Sequence, residues 1–183
     1  GHPGRRLAEN QSIVLTMVER YEPRGFWRCR LVVIPDASSD TLRPTMAAHI
    51  DPDATLHTDA WNSYREAATD FWDHRPINVK RSGMEAHQIE PAVSRVASQF
   101  KRWLAGTLQG AVQPEHLQAY CHEFEFRWNR RRAQARGLLF YRLMQQAVLT
   151  EPVTYRDLVK APAPDWTGRE HERPGPPYVF QRP

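Results

Sequence analysis

The sequence predicts an α/β domain that ends in helices, on three observations. Strand-like and helix-like periodicities alternate along its first half. Phe26 to Pro35 alternates by two, the period of a strand. Ala86 to Gly106 and Pro114 to Arg132 each repeat apolar residues every three or four positions, the period of an amphipathic helix.

Residues 1–10 are polar, basic and glycine-containing, and read as a loop. Gln11 to Arg20 is rich in Ile, Val, Leu and Thr, which pack well on a pleated surface, and is predicted as a strand. Arg24-Gly25 turns the chain into a second strand, Phe26 to Pro35. There Trp27, Cys29 and Leu31 alternate with Arg28 and Arg30, so an antiparallel hairpin with one wetter face is expected. Capping residues in Asp36 to Asp40 lead into a short helix, Thr41 to Ile50. Ala54 to Thr58 is a brief strand with Asp59 at its end, Trp61 to Ala68 a helix, and Asp73 to Val79 holds a weak strand around Ile77. The strand before Asp59 is then reached by a crossover helix, and in open α/β sheets the working site lies beyond the carboxyl ends of strands.

The long helix, Ala86 to Gly106, has Pro91 in its first turn, where a missing N–H costs nothing, and Glu90 beside that positive end. Val93, Val96, Ala97, Phe100 and Leu104 form its apolar stripe; Glu90, Ser94, Ser98 and Lys101 follow the same period on another face. In Pro114 to Arg132 the stripe is Leu117, Tyr120, Cys121, Phe124 and Trp128, and the helix ends in arginines. Leu138 to Leu149 is a last helix, and residues 151–183 form a proline-rich tail, leaving 11–150 as the domain.

The bulk numbers narrow the class. A chain of 183 residues fits one domain with a single core. Net charge is +4, and arginine supplies nearly all the cations, since Lys80, Lys101 and Lys160 are the only lysines. Cys29 and Cys121 are too few for a disulfide framework, so a reducing cytoplasm is expected. No apolar run approaches the ~20 residues of a spanning helix, and no signal peptide is visible. The sequence opens at Gly1 and not at Met, so the start of a longer protein is expected upstream.

Asp59 at a strand end can hold a divalent cation; it can equally cap the next helix. Lys101, Arg102 and Trp103 can grip a phosphate backbone or be the solvated edge of their helix. Arg127, Arg130, Arg131, Arg132 and Arg136 exceed what a helix dipole needs and suggest a nucleic-acid surface. His116 and His122, six apart, lack zinc-ligand spacing, and neither a phosphate-binding glycine loop nor a Gly-x-Ser-x-Gly elbow is present.

Joined in order, several motifs carry a resemblance: VVIPDASSDTLRP at 32–44, TDAWNSY at 58–64, SRVASQFKRWLAGTLQGAV at 94–112, and EHLQAYCHEFEFRWNRRRAQARGLLFYRLMQQAV at 115–148. Over roughly residues 1 to 160 the chain resembles the catalytic domain of bacterial insertion-sequence transposases, the ISXO-like group of the Asp-Asp-Glu superfamily. The resemblance implies a ribonuclease-H-like fold, a mixed sheet flanked by helices. It also implies cleavage and strand transfer of DNA at transposon ends and target, with Mg²⁺ or Mn²⁺ held by acidic residues, and a homo-oligomer as a further partner state. Asp59 matches the second acidic position, and Lys101 the basic residue seven after the third. That puts Ser94 at the third position, with Glu90 one turn earlier as a stand-in. The first acidic residue and its central strand have no counterpart. A truncated or degenerate transposase is therefore expected, and a non-catalytic DNA-binding or assembly protein derived from one is the alternative.

Overall fold

The computed structural model describes residues 11–21, 25–69, 73–77, 91–109, 112–152 and 154–155. Strands β1 (Ile13–Tyr21) and β2 (Gly25–Ile34) form the expected antiparallel hairpin, from Ile13 opposite Ile34 to Tyr21 opposite Gly25. Gly25 sits at φ 78°, a left-handed conformation that a side chain would strain. Between the pairs Val18–Cys29 and Arg20–Phe26, β2 carries one residue more than β1, a bulge. That extra residue takes Trp27 out of the alternation: Cys29 and Leu31 are buried, whereas Trp27 is 36% exposed.

Helices cover both faces of the hairpin. On one face Cys29, Leu31 and Val33, flanked by Val14 and Val18, meet α3 (Pro91–Leu108) and α4 (Leu117–Asn129). On the other, Leu15 and Ile34 with Ile13, Met17 and Val32 meet α1 (Ser39–Ala47) and α2 (Asn62–Ala67). This corrects the expectation of a wetter second face. Arg28 and Arg30 suggested water there, but Val32 and Ile34 continue that face as apolar surface and draw α1 onto it. Ser38 caps α1, its Oγ accepting from the Thr41 N–H at 3.3 Å, and Arg43 ties α1 to α2 by donating to the Glu66 carbonyl at 2.8 Å.

Strand β3 (Thr55–Asp59) leads through α2 into β4 (Asp73–Ile77), which pairs with it in parallel. Among the described residues the strands thus form two sheets of two, β1–β2 and β3–β4, where one mixed sheet was expected. No described strand bridges the edges of β1 and β3. The α/β class holds.

Helix α3 buries Ala92, Val96 and Phe100, with Trp103 and Leu104 partly buried beside them. A 3₁₀ turn, Pro114–His116, opens α4, which stops at Asn129, three residues short of its expected end. The last helix, α5 (Arg136–Leu149), buries nothing: Phe140 is 68% and Val148 80% exposed. Its apolar residues therefore belong to neither core. No helix among the described residues is long and apolar enough to cross a membrane.

Outer edge of β2. A strand edge needs partners for its N–H and C=O groups. Side chains of α4 supply them. Gln118 accepts from the Val33 N–H at 2.8 Å and donates to the Leu31 carbonyl at 3.1 Å. Glu125 accepts from the Leu31 N–H at 2.5 Å. Asn129 accepts from the Cys29 N–H at 2.7 Å and donates to its carbonyl at 3.0 Å. The Trp128 indole N–H donates to the Trp27 carbonyl at 3.1 Å. A helix thus stands where another strand would add.

Candidate nucleic-acid interface

Asp59 is the last residue of β3, exposed, opposite Ile77 of β4. Its Oδ1 accepts from the Trp61 N–H at 3.3 Å. Trp61, not Asp59, is the N-cap residue of α2, and no side chain caps that helix. The helix-cap reading of Asp59 is corrected accordingly: the carboxylate braces the turn before the helix. Tyr64 lies close enough that burial, and then the Asp59 charge, push its phenol up to about 12. Behind Asp59, the Thr58 hydroxyl meets the Asp59 carbonyl at 2.7 Å and the His74 ring at 2.8 Å, tying β3 to β4.

On α3, Ser94 is half-buried and its carbonyl accepts from the Ser98 hydroxyl at 2.7 Å. Lys101 and Arg102 are exposed. Trp103 is not simply a surface residue. Its ring centroid lies 6.2 Å from that of Phe100 and 6.0 Å from that of Phe124, so one side of it is built into the core. Glu90 falls outside the described residues.

The arginine run after α4 divides by task. Arg131 donates to the carbonyls of Phe26 at 2.6 Å, Trp27 at 2.8 Å and Trp128 at 2.9 Å, while its guanidinium lies 4.2 Å from the centre of the Trp128 ring. It is a strut between α4 and β2. Arg130 stacks 4.0 Å over Phe126. Arg127 pairs with Glu123 at 2.6 Å, one turn back, with 65% of its side chain exposed. Arg132 lies 5.4 Å over the exposed Trp27.

Between α3, α4 and the start of β2 runs an open groove of about 570 Å³. Phe26, Trp103, Phe124 and Trp128 form its aromatic lining, and Arg95, Arg127, Arg131 and Arg132 bring four guanidinium groups to it. Among the described residues no carboxylate lines it, though Arg127 is paired with Glu123. Burial foremost, and then the charges of Arg132 and Arg95 against an opposing one from Cys29, lower the Arg131 pKa. Sequence reading missed Arg95 and Gln99. The available signal was their spacing: positions 95, 99 and 103 share one helix face beside the Val96–Phe100 stripe.

Residues 1–129 match the ISXO2-like transposase domain. The chain belongs to this family. An "uncharacterized transposase-like protein" of Haemophilus influenzae (strain Rd) is 28% identical to it over 104 residues, covering 56% of this chain and 83% of the relative. No solved structure matches.

For an ISXO2-like transposase domain of the Asp-Asp-Glu class, divalent metal chemistry is the family's general property. Mg²⁺ requires several oxygen ligands, carboxylates foremost. Among the described residues no three His, Cys, Asp or Glu side chains converge. The described donor set does not fit the ion. What the transposase domain does present is its arginine-lined groove.

Proposed function

We propose that this chain is a DNA-binding transposase domain whose own cleavage chemistry is weakened. Membership of the ISXO2-like family gives DNA as the partner. The observation that carries the reading is the groove, with four guanidinium groups and, among the described residues, no carboxylate in its lining. Arginine suits phosphate because its planar fork makes paired, charge-assisted hydrogen bonds. In this reading Arg127, Arg132 and Arg95 meet the DNA backbone, Lys101 and Arg102 extend the basic track along α3, and Arg131 holds the groove's shape.

The cleavage half rests on chemistry. Asp59 is retained as one acidic ligand and Ser94 replaces another, so ligation of Mg²⁺ or Mn²⁺ at these two positions is poor. The fold is read as ribonuclease-H-like. A strand placed between β1 and β3 would merge the two small sheets into one mixed sheet, and its end beside Asp59 is where a further carboxylate would stand. Residues 11–150 are taken as the working unit and 151–183 as its tail.

A fluorescently labelled 30-base-pair duplex tests the binding half by anisotropy across a salt series. The logarithm of affinity should fall linearly with that of salt, by about 0.9 per phosphate neutralised. Replacing both Arg127 and Arg132 by Glu should flatten that slope by about two contacts' worth or more. An unchanged slope overturns the assigned surface. Incubation of supercoiled plasmid with the chain and Mg²⁺ or Mn²⁺ tests the other half. Nicking that disappears in Asp59→Ala overturns the claim of weakened cleavage.

A further inference from the structure

Trp103 borders two hollows. One is the groove described above; the other is a hollow of about 270 Å³ lined by Gln99, Arg102, Trp103, Gly106 and Thr107. Gln99 and Trp103 are common to both. The indole is therefore packed against Phe100 and Phe124 and also borders open space in both hollows. Guanidinium groups line both, Arg102 in one and Arg95, Arg127 and Arg132 in the other.

The arginine nearest the indole is loosely seated. The Arg127 guanidinium is 6.0 Å from the Trp103 ring centre, whereas Arg130 and Arg131 lie 4.0 Å and 4.2 Å from theirs. A flat group held between two planes needs two contacts of roughly 3.5 Å, about 7 Å in all. Arg127 has to withdraw by only about 1 Å to reach that spacing. Its other tie is an exposed pair with Glu123, one helical turn away, of the weak surface kind. A π-face anchored on the core, covered only by a loosely held guanidinium and with further cations nearby, is a receptor for a flat aromatic group carrying negative charge.

We infer that Trp103 is a stacking platform for unpaired deoxynucleotides, with Arg95, Arg102, Arg127 and Arg132 taking the flanking phosphates. This deepens the proposed DNA-binding reading and rests on it. Duplex DNA does not meet the requirement, because its base faces are covered by their neighbours in the stack and only edges and phosphates are on offer. An unpaired base at a DNA end or in an opened duplex presents the face that the indole needs. The charge track then serves both kinds of DNA, while the indole discriminates between them.

The test compares a blunt 20-base-pair duplex with the same duplex bearing a three-nucleotide thymine tail, at one salt concentration. Stacking of one base predicts a preference for the tailed duplex of roughly five- to a hundred-fold. Trp103→Leu, which keeps the bulk packed on Phe124, should abolish that preference, while Trp103→Phe should restore most of it. A second measurement on the unaltered protein is independent of how these variants fold: 2-aminopurine placed in the tail should lose fluorescence on binding. Equal affinity for both duplexes, or an unquenched tail, overturns the stacking site and leaves the DNA-binding reading standing. Failure to bind either duplex overturns both.

Discussion

Glu125 makes the sharpest stability prediction. It is 5% exposed, yet it carries a carboxylate. One oxygen accepts from the N–H of Leu31, itself fully buried, at 2.5 Å, and the other accepts from Arg30 at 2.9 Å. Glu125→Leu leaves the Leu31 N–H without a partner, a loss of roughly 1–3 kcal/mol. The Arg30 pair adds less than about 1 kcal/mol, because 41% of the Arg30 side chain is exposed and water screens it. Removing a buried carboxylate returns part of this. The net expectation is a loss of about 1–3 kcal/mol, or a fall in Tm of roughly 2–12 °C for a chain of this size. Glu125→Gln keeps an amide oxygen for Leu31 and should stay within about 1 kcal/mol of the parent.

The pH dependence gives a second handle on the same residue. Burial raises the Glu125 pKa, outweighing the Leu31 hydrogen bond and the Arg30 charge, which lower it. A carboxyl with a folded pKa above its unfolded value binds its proton more readily when folded. Its contribution to stability is therefore largest at acid pH and declines as pH rises from the unfolded value through the folded one. Gln does not titrate. The stability gap between parent and Glu125→Gln should move in the variant's favour between pH 4 and pH 7, as read by urea melts at both. A Glu125→Leu protein as stable as Glu125→Gln at pH 7 would refute the edge-capping role. A pH-independent gap would refute the raised pKa.

Two further outcomes are expected. Burial, and then the Glu125 charge, push the thiols of Cys29 and Cys121 up to about 12, so only about one in 10⁵ is thiolate at pH 7. Alkylation by iodoacetamide in native buffer should be negligible and become complete in denaturant; rapid native labelling of either thiol contradicts the packed α4–β2 seam. Burial, and then Arg65, depress the His74 pKa, so the fold prefers the neutral ring. The unfolded chain then takes up the proton first. Stability is full above about 6.5 and is lost as pH falls through the folded value. His74→Gln should lessen that acid-side loss in thermal melts at pH 7.5 and 5.5, and an unaltered loss would show that His74 does not cause it.

The hairpin was legible because β-branched and apolar residues dominate both strands, with a turn at Gly25. Asp59 at the end of β3 was legible for a similar reason, since the strand before it and the helix after it are both short and cleanly bounded. The bulge at Trp27 was not, because inserting one residue leaves no trace in local composition. The end of α4 was placed late for a different reason. Arg130 to Arg132 are good helix formers, but there the backbone tightens into i→i−3 turns, the Arg131 N–H donating to the Trp128 carbonyl at 3.1 Å, while the Arg131 side chain bonds the carbonyls of β2. Least legible of all was the role of Gln118, Glu125 and Asn129. Their spacing follows the helix period, yet on a sequence they look like an ordinary wet face, and only an open strand edge alongside makes them structural.

Helix α4 thus carries three stripes with three tasks. Leu117, Cys121, Phe124 and Trp128 enter the core. Gln118, Glu125 and Asn129, one position further round, close the edge of β2. Glu123 and Arg127 stand outside, with Arg127 on the groove. Mutations in the arginine run therefore cannot be pooled. Arg130→Ala with Arg131→Ala removes four donations to backbone carbonyls along with any contact to DNA, so weaker binding by that pair would be ambiguous between a lost phosphate contact and a loosened α4–β2 seam. Arg127→Ala with Arg132→Ala removes groove charge and leaves those hydrogen bonds in place. If the groove is the DNA surface, the second pair weakens binding at an unchanged melting temperature, while the first lowers both together. A second pair that binds like the parent would instead show that the positive charge on this face serves the fold alone.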